Sequence, residues 1–256
     1  MMSIQLLQIF IAIVSLSLVT TQCMNQKAQV QNHFPGACAT DIGVGDRGIP
    51  WVLGCGPPVG AGDYYIFSWN GAKWDMIPGV AVRIAVEPDG TPWIVNKGKQ
   101  IYKRSANGWQ QVAGCARDIA VGQNSSAWIL GCKSSGTDGF EIYTRSSSGW
   151  DRVAGAATKI AVDPDGTPWI INAGGQIYKR SADSWKQIPG CAKDIGVGRN
   201  DSAWILGCTS AGAGGFEIQS WDGSKWRTIP GSATGIAVEA NGTAWVINVE
   251  GKTFRL

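Results

Sequence analysis

The chain is poor in the residues that usually carry chemistry. Among its 256 residues there is a single histidine, His33, and only 16% are charged. One histidine removes most Ser/His/Asp, Cys/His and multi-histidine metal arrangements. The formal net charge is +3 with no block of Lys or Arg, so the electrostatic footprint that duplex nucleic acid requires is missing. Soluble domains usually carry about 25% charged residues. A chain well below that has few solvated helical faces, which argues against a helical bundle.

What the chain has in excess is turn and aromatic chemistry: 35 Gly, 11 Pro and 13 Trp, with 44% hydrophobic residues. That apolar share argues against disorder, and the length allows one large β domain with a well-filled core. The first 23 residues, MMSIQLLQIFIAIVSLSLVTTQC, form an uncharged, largely apolar run followed by small residues, with Thr21 and Cys23 suiting the −3 and −1 positions of a signal-peptidase site. They read as a cleaved secretion signal, although no basic residue precedes the apolar run. The alternative is a short membrane anchor; Gln5, Gln8, Ser15 and Ser17 interrupt a run already at the lower limit for spanning. Residues 24–256 remain as one domain.

Self-similarity at a fixed period decides the architecture. A segment x-I-A/G-V occurs six times, ending at Val44, Val86, Val121, Val162, Val197 and Val238. Each copy is followed by a turn and a Trp-led run, at Trp51, Trp93, Trp128, Trp169, Trp204 and Trp245, with spacings of 42, 35, 41, 35 and 41. Long and short units therefore alternate, and the larger unit is a pair. A third apolar segment follows (IYKRS at 101–105 and 177–181), then a fourth opened by Trp74, Trp109, Trp150, Trp185 or Trp226 and closed by IPG or VAG. Four short strands per unit, separated by Gly, Pro, Asn and Asp turns, predict an all-β, six-bladed β-propeller. The sixth unit stops in its third strand. Gln31–Gly36 (QNHFPG) stands where the missing fourth segment should be, so the N-terminal strand is expected to close the ring.

The cysteines agree with this phase. Cys38 and Cys55, Cys115 and Cys132, and Cys191 and Cys208 bracket the turn between first and second strands, each pair 17 residues apart. Each pair should face across the open end of its hairpin and form a disulfide. Cys23 leaves with the signal, and a fully paired set fits an oxidising compartment.

The repeated IAVxxxGxxW, WIVN, IYKRS and WxxIPG segments resemble the tectonin β-propellers, which include fish-egg lectins and tachylectin-type defence lectins. The likeness runs over essentially all of residues 28–256. It implies a secreted, innate-defence lectin that binds exposed microbial or N-acetylated glycans, bacterial lipopolysaccharide or other cell-surface sugars among them, through repeated weak sites. It allows a homo-oligomer. The alternative is a structural or protein-binding propeller of an extracellular or egg-coat matrix.

Candidate contacts follow from the blade plan. Three sequons, Asn124, Asn200 and Asn241, lie in first-to-second turns and would crowd that face if glycosylated. The long loops 56–64, 133–139 and 209–215 lie on the opposite face, which is the expected ligand face. There, Asn96, Asn172 and Asn248 end second strands, and Asp41, Asp118 and Asp194 precede first strands. All six are candidate sugar partners, although such residues at strand ends are also common turn formers. The Trp residues that open second and fourth strands read as inter-blade core. Trp69 and Trp221 stand where other units have Arg104, Arg145 and Arg180, and are candidate platforms. The pairs Lys103/Arg104 and Lys179/Arg180 could contact phosphate or an acidic sugar, or simply form a solvated face. Glu87, Asp163 and Glu239 recur at equivalent turn positions, which reads as repetition rather than an acid/base pair. The Pro-Asp-Gly turns lack the spaced oxygen ligands of a calcium site. No enzyme activity, cofactor or metal is expected.

Overall fold

Short apolar segments broken by Gly, Pro, Asn and Asp should form half-buried strands. The computed structural model describes residues 38–212 and 214–256, and contains 23 strands. The first sheet is built from Ala39–Val44, Pro50–Gly54, Tyr64–Trp69 and Trp74–Ala81, paired antiparallel in chain order. Four sheets of the same order follow, opened by Arg83–Val86, Ala116–Val121, Lys159–Val162 and Ala192–Val197. The sixth has three strands, Gly235–Val238, Ala244–Ile247 and Thr253–Arg255. These are blades one to six of a β-propeller, as the repeats predict. The expected leader, 1–23, and the closing segment, 31–36, lie outside the described residues.

The core lies between blades. Trp169, Ile171 and Ile177 of blade four pack against Ile195, Val197 and Ile205 of blade five, and burying each such side chain contributes about 1.5–3 kcal/mol. The same packing joins the last blade to the first: Trp245 and Ile247 share a cluster with Ile42, Val44 and Val52, and the Ala39 amide donates to the Gly251 carbonyl at 2.8 Å. The small residue of x-I-A/G-V marks where neighbouring first strands converge. A Cβ on Gly43 would lie 3.2 Å from the Ala85 Cα.

A second constraint acts at the rim. Trp109 Nε1 donates to the Pro78 carbonyl of the preceding blade at 2.7 Å, and Trp150, Trp185 and Trp226 repeat this with Ala113, Ala154 and Pro189. The indole approaches so closely that a Cβ on Gly79, at φ +126°, would sit 2.7 Å from Trp109 Nε1. This is why IPG and VAG end in glycine. In blades two to five the fourth-strand tryptophans are therefore inter-blade links, half-buried rather than core, while Trp74 packs against the cluster joining blade six to blade one and its Nε1 has no partner among the described residues.

The three disulfides join the expected cysteines, with Cα–Cα distances of 5.2, 5.6 and 5.4 Å. Each closes the end of a first hairpin just beyond a β-bulge, where Thr40, Arg117 and Lys193 are the extra residues.

Candidate functional site

The alternation of long and short units produces three related junctions, between blades two and three, four and five, and six and one. In the first, Glu87 is 3% exposed and accepts from Trp93 Nε1 at 2.6 Å. Lys103 Nζ lies 2.8 Å from the same carboxylate and donates to Ser125 Oγ at 2.6 Å. In the second, Asp163 is one methylene shorter, and Trp169 Nε1 is buried without a partner among the described residues. Lys179 turns instead to both carboxylate oxygens of Asp201. The two lysines therefore face blade junctions and not a solvated outer strand. Burial holds the Asp163 carboxyl above the ordinary range.

The third junction is open among the described residues. Glu239, 2% exposed, accepts from Trp245 Nε1 at 2.7 Å, from Arg255 Nε at 2.7 Å and from Asn241 Nδ2 at 3.1 Å. Gly48 stands at the position of Ser125 and Asp201, so no side chain from blade one fills the space over Glu239. A cleft of about 610 Å³ results, walled by Asp46, Arg47, Trp69, Asn241 and Arg255. Asp46 is held by Arg199 at 3.2 Å, whereas Arg47 is exposed and forms no ion pair among the described residues. Arg47 and Trp69 also border a smaller cleft of about 240 Å³ toward Asp89 of blade two. An apolar ring face beside amide, guanidinium and carboxylate groups is the combination a sugar needs to keep its hydroxyls paired as water leaves.

Trp69 and Trp221 occupy the cross-strand position of Arg104, Arg145 and Arg180, as the repeats align them. Each covers the fourth-strand tryptophan of its own blade. Arg104, Arg145 and Arg180 lie 5.3 Å over Trp109, Trp150 and Trp185, while Trp69 meets Trp74 edge-on at 5.4 Å and Trp221 meets Trp226 at 4.9 Å. Both are half-buried, and of the two only Trp69 borders these clefts.

On the long-loop face, the Asn96 and Asn172 side chains close their own turns. Their Oδ1 atoms accept the amides of Gln100 and Gln176, both at 2.9 Å, and their Nδ2 groups donate to the same glutamines. Asn248 accepts from the Lys252 amide at 2.8 Å. Asn172 also lines a cleft of about 190 Å³ with Asp138, Tyr178 and Trp185. Of the sequon residues, Asn124 and Asn200 are exposed at φ 55°, while Asn241 reaches into the open junction.

Asp41, Asp118 and Asp194 fall inside the first strands and not before them, and they line the central channel. The bulge beside each is what sequence spacing did not reveal. Around the channel the corresponding residues read Asp41, Arg83, Asp118, Lys159, Asp194 and Gly235, acid alternating with base except at blade six. Each aspartate accepts a main-chain amide of the following blade: Ile84 at 2.9 Å, Ile160 at 3.2 Å and Ile236 at 3.3 Å. Arg83 faces Asp118 at 3.5 Å and Lys159 faces Asp194 at 3.0 Å, while Gly235 offers Asp41 no cation. Burial raises the Asp41 carboxyl to about 6, and raises Asp118 as well.

Sequence reasoning missed Arg47, Asn241 as a cleft residue, and the Glu239–Arg255 pair. The signal was present in Gly48, which breaks a position otherwise filled by a polar side chain.

A ring of six antiparallel sheets about a charged channel, with aromatic and polar clefts at the blade junctions, defines a six-bladed β-propeller. The family model of the Tectonin domain matches residues 60–138 and 136–256, and the chain belongs to that family. It is 43% identical over 54 residues to Tectonin-2 of Physarum polycephalum, a match covering 18% of this chain and 15% of that protein. Among solved structures it resembles a gluconolactonase from Xanthomonas campestris, with a TM-score of 0.61 at 12% identity over 87% of this chain and 86% of that one. It also resembles the calcium-binding protein regucalcin of Agrobacterium tumefaciens, with a TM-score of 0.59 at 13% identity over 89% and 93%. At such identities the likeness is one of fold.

Proposed function

We propose that this chain is a secreted, non-enzymatic carbohydrate-binding propeller that recognises exposed microbial or N-acetylated glycans. The observation that carries the reading is the open junction between blades six and one, where the Trp69 ring stands beside Arg47, Asn241 and the Glu239–Arg255 pair. Membership of the tectonin family supports it. Secretion is supported by three disulfides, which persist in oxidising compartments. Among the described residues no helix is long and apolar enough to cross a membrane.

The test is a glycan array probed with folded, disulfide-intact protein, followed by titration of the best binder against Trp69→Ala and Trp221→Ala. Trp69→Ala should weaken binding at least tenfold, and Trp221→Ala should leave it near wild type. A blank array would sink the lectin reading and favour a protein-binding propeller.

A further inference from the structure

The second-to-third turn exists in three equivalent copies, and they differ in charge. Blade four reads Asn172-Ala-Gly-Gly-Gln176, blade six Asn248-Val-Glu-Gly-Lys252, and blade two Asn96-Lys-Gly-Lys-Gln100. All three make the same backbone turn, with the amide of the fourth residue donating to the carbonyl of the asparagine: Lys99 to Asn96 at 2.9 Å, Gly175 to Asn172 at 3.0 Å and Gly251 to Asn248 at 2.9 Å. That fourth residue has positive φ in every copy, +79° at Gly175, +77° at Gly251 and 67° at Lys99. Glycine takes this conformation freely and lysine does not. The neighbourhood is also tight. A Cβ on Gly175 would lie 2.7 Å from Cys191 Sγ, whereas blade two accommodates a real Cβ at the corresponding place.

Lys99 is placed at a second disadvantage by its neighbours. Burial, followed by Arg117, Lys97 and Arg83, pushes its ammonium below the ordinary lysine range. Arg117 follows Ala116, whose amide donates to the Lys99 carbonyl at 3.0 Å; it is the bulge residue of blade three, where blade one has Thr40, and its guanidinium is stacked 4.1 Å over the Phe140 ring. Of the nearby acids, Asp63 spends an oxygen on the Lys97 amide at 2.6 Å and Asp118 faces Arg83. Lys97, Lys99 and Arg117 form no ion pair among the described residues. A fold that already uses glycine here twice carries, in one copy only, a strained lysine amid other cations. Strain and like-charge repulsion kept together at one surface point are characteristic of a binding site for the opposite charge.

We infer that Lys97, Lys99 and Arg117 form an oxyanion site on the long-loop face, taking the sulfate or phosphate monoester groups of an acidic polysaccharide. The polysaccharide carrier rests on the glycan-binding reading above; the oxyanion does not. The stacked Arg117 fork supplies directional donors, and the two lysines add charge without fixed geometry.

The molecule contains its own control sequence. Lys97→Ala with Lys99→Gly converts 96–100 into the turn already folded at 172–176. Wild type, this double variant, Arg117→Thr and Trp69→Ala are titrated with dextran sulfate, phosphorylated dextran and plain dextran, and their melting temperatures are measured. Wild type should bind one or both charged polymers and not plain dextran, with affinity falling steeply as salt rises. The polymer bound more tightly identifies the source of the oxyanion. The double variant should lose at least tenfold in affinity while melting no lower than wild type, because glycine relieves the turn. Arg117→Thr should weaken binding, and Trp69→Ala should not. Equal binding by the double variant, or no binding of either charged polymer by wild type, overturns the site. Binding that survives Trp69→Ala alongside a blank neutral-glycan array would overturn the lectin reading alone.

Discussion

Asp41 shows how one substitution in a repeat changes a neighbour. Its counterparts Asp118 and Asp194 face Arg83 and Lys159, but the position that should serve Asp41 is Gly235. With its carboxyl raised from 3.8 to about 6, the native state holds more protons than the unfolded chain between those values. The stability tied to the neutral acid is therefore complete below about pH 4 and is lost as pH rises through about 6. Asp41→Asn keeps an acceptor for the Ile84 amide and removes the ionisation. Its stability relative to wild type should rise between pH 4 and pH 7, as measured by urea unfolding at four pH values. Parallel curves would mean the channel pays no cost for that charge. At this scale the sequence was only partly legible: the three aspartates stood out by repetition, but the bulge that turns them into the channel leaves no composition signal.

At the scale of the strand and its turn, the fourth segment is the clearest case of sequence dictating structure. The tryptophan at its start and the glycine at its end serve different junctions: in blades two to five the indole bonds the carbonyl preceding the glycine of the blade before it. Gly114→Ala would force φ +136° on a residue with a Cβ and drive that Cβ to 2.7 Å from Trp150 Nε1. The expected cost is about 3 kcal/mol, from backbone strain and a displaced hydrogen bond. Chemical denaturation of the disulfide-intact protein measures it, and a loss under about 1 kcal/mol would show that the rim readily yields. The first hairpins were equally readable, because a cysteine pair straddling a turn fixes where the hairpin ends. Replacing Cys191 and Cys208 together by Ala should cost about 3 kcal/mol in the chain-entropy model, read as a lower denaturant midpoint.

At the scale of the whole molecule, blade number and strand order were legible because each repeat is one supersecondary unit that buries its face only against the next. The open junction was not. It is made by Gly48 meeting Glu239, Asn241 and Arg255 from the far end of the chain, and a glycine reads locally as one more turn residue. The oxyanion patch was hidden for a related reason: its charges become unusual only when the three turns are laid over one another and the positive φ at Lys99 is known.

The alternating channel also carries a rule about counting. Odd blades bring an aspartate to the axis, and even blades bring a cation or, once, a glycine. An added or lost single blade would seat two odd or two even blades side by side and break the alternation of acid with base. An added or lost pair would preserve the sequence of charges. The ring thus has a parity: repeats gained or lost in twos keep its order of charges.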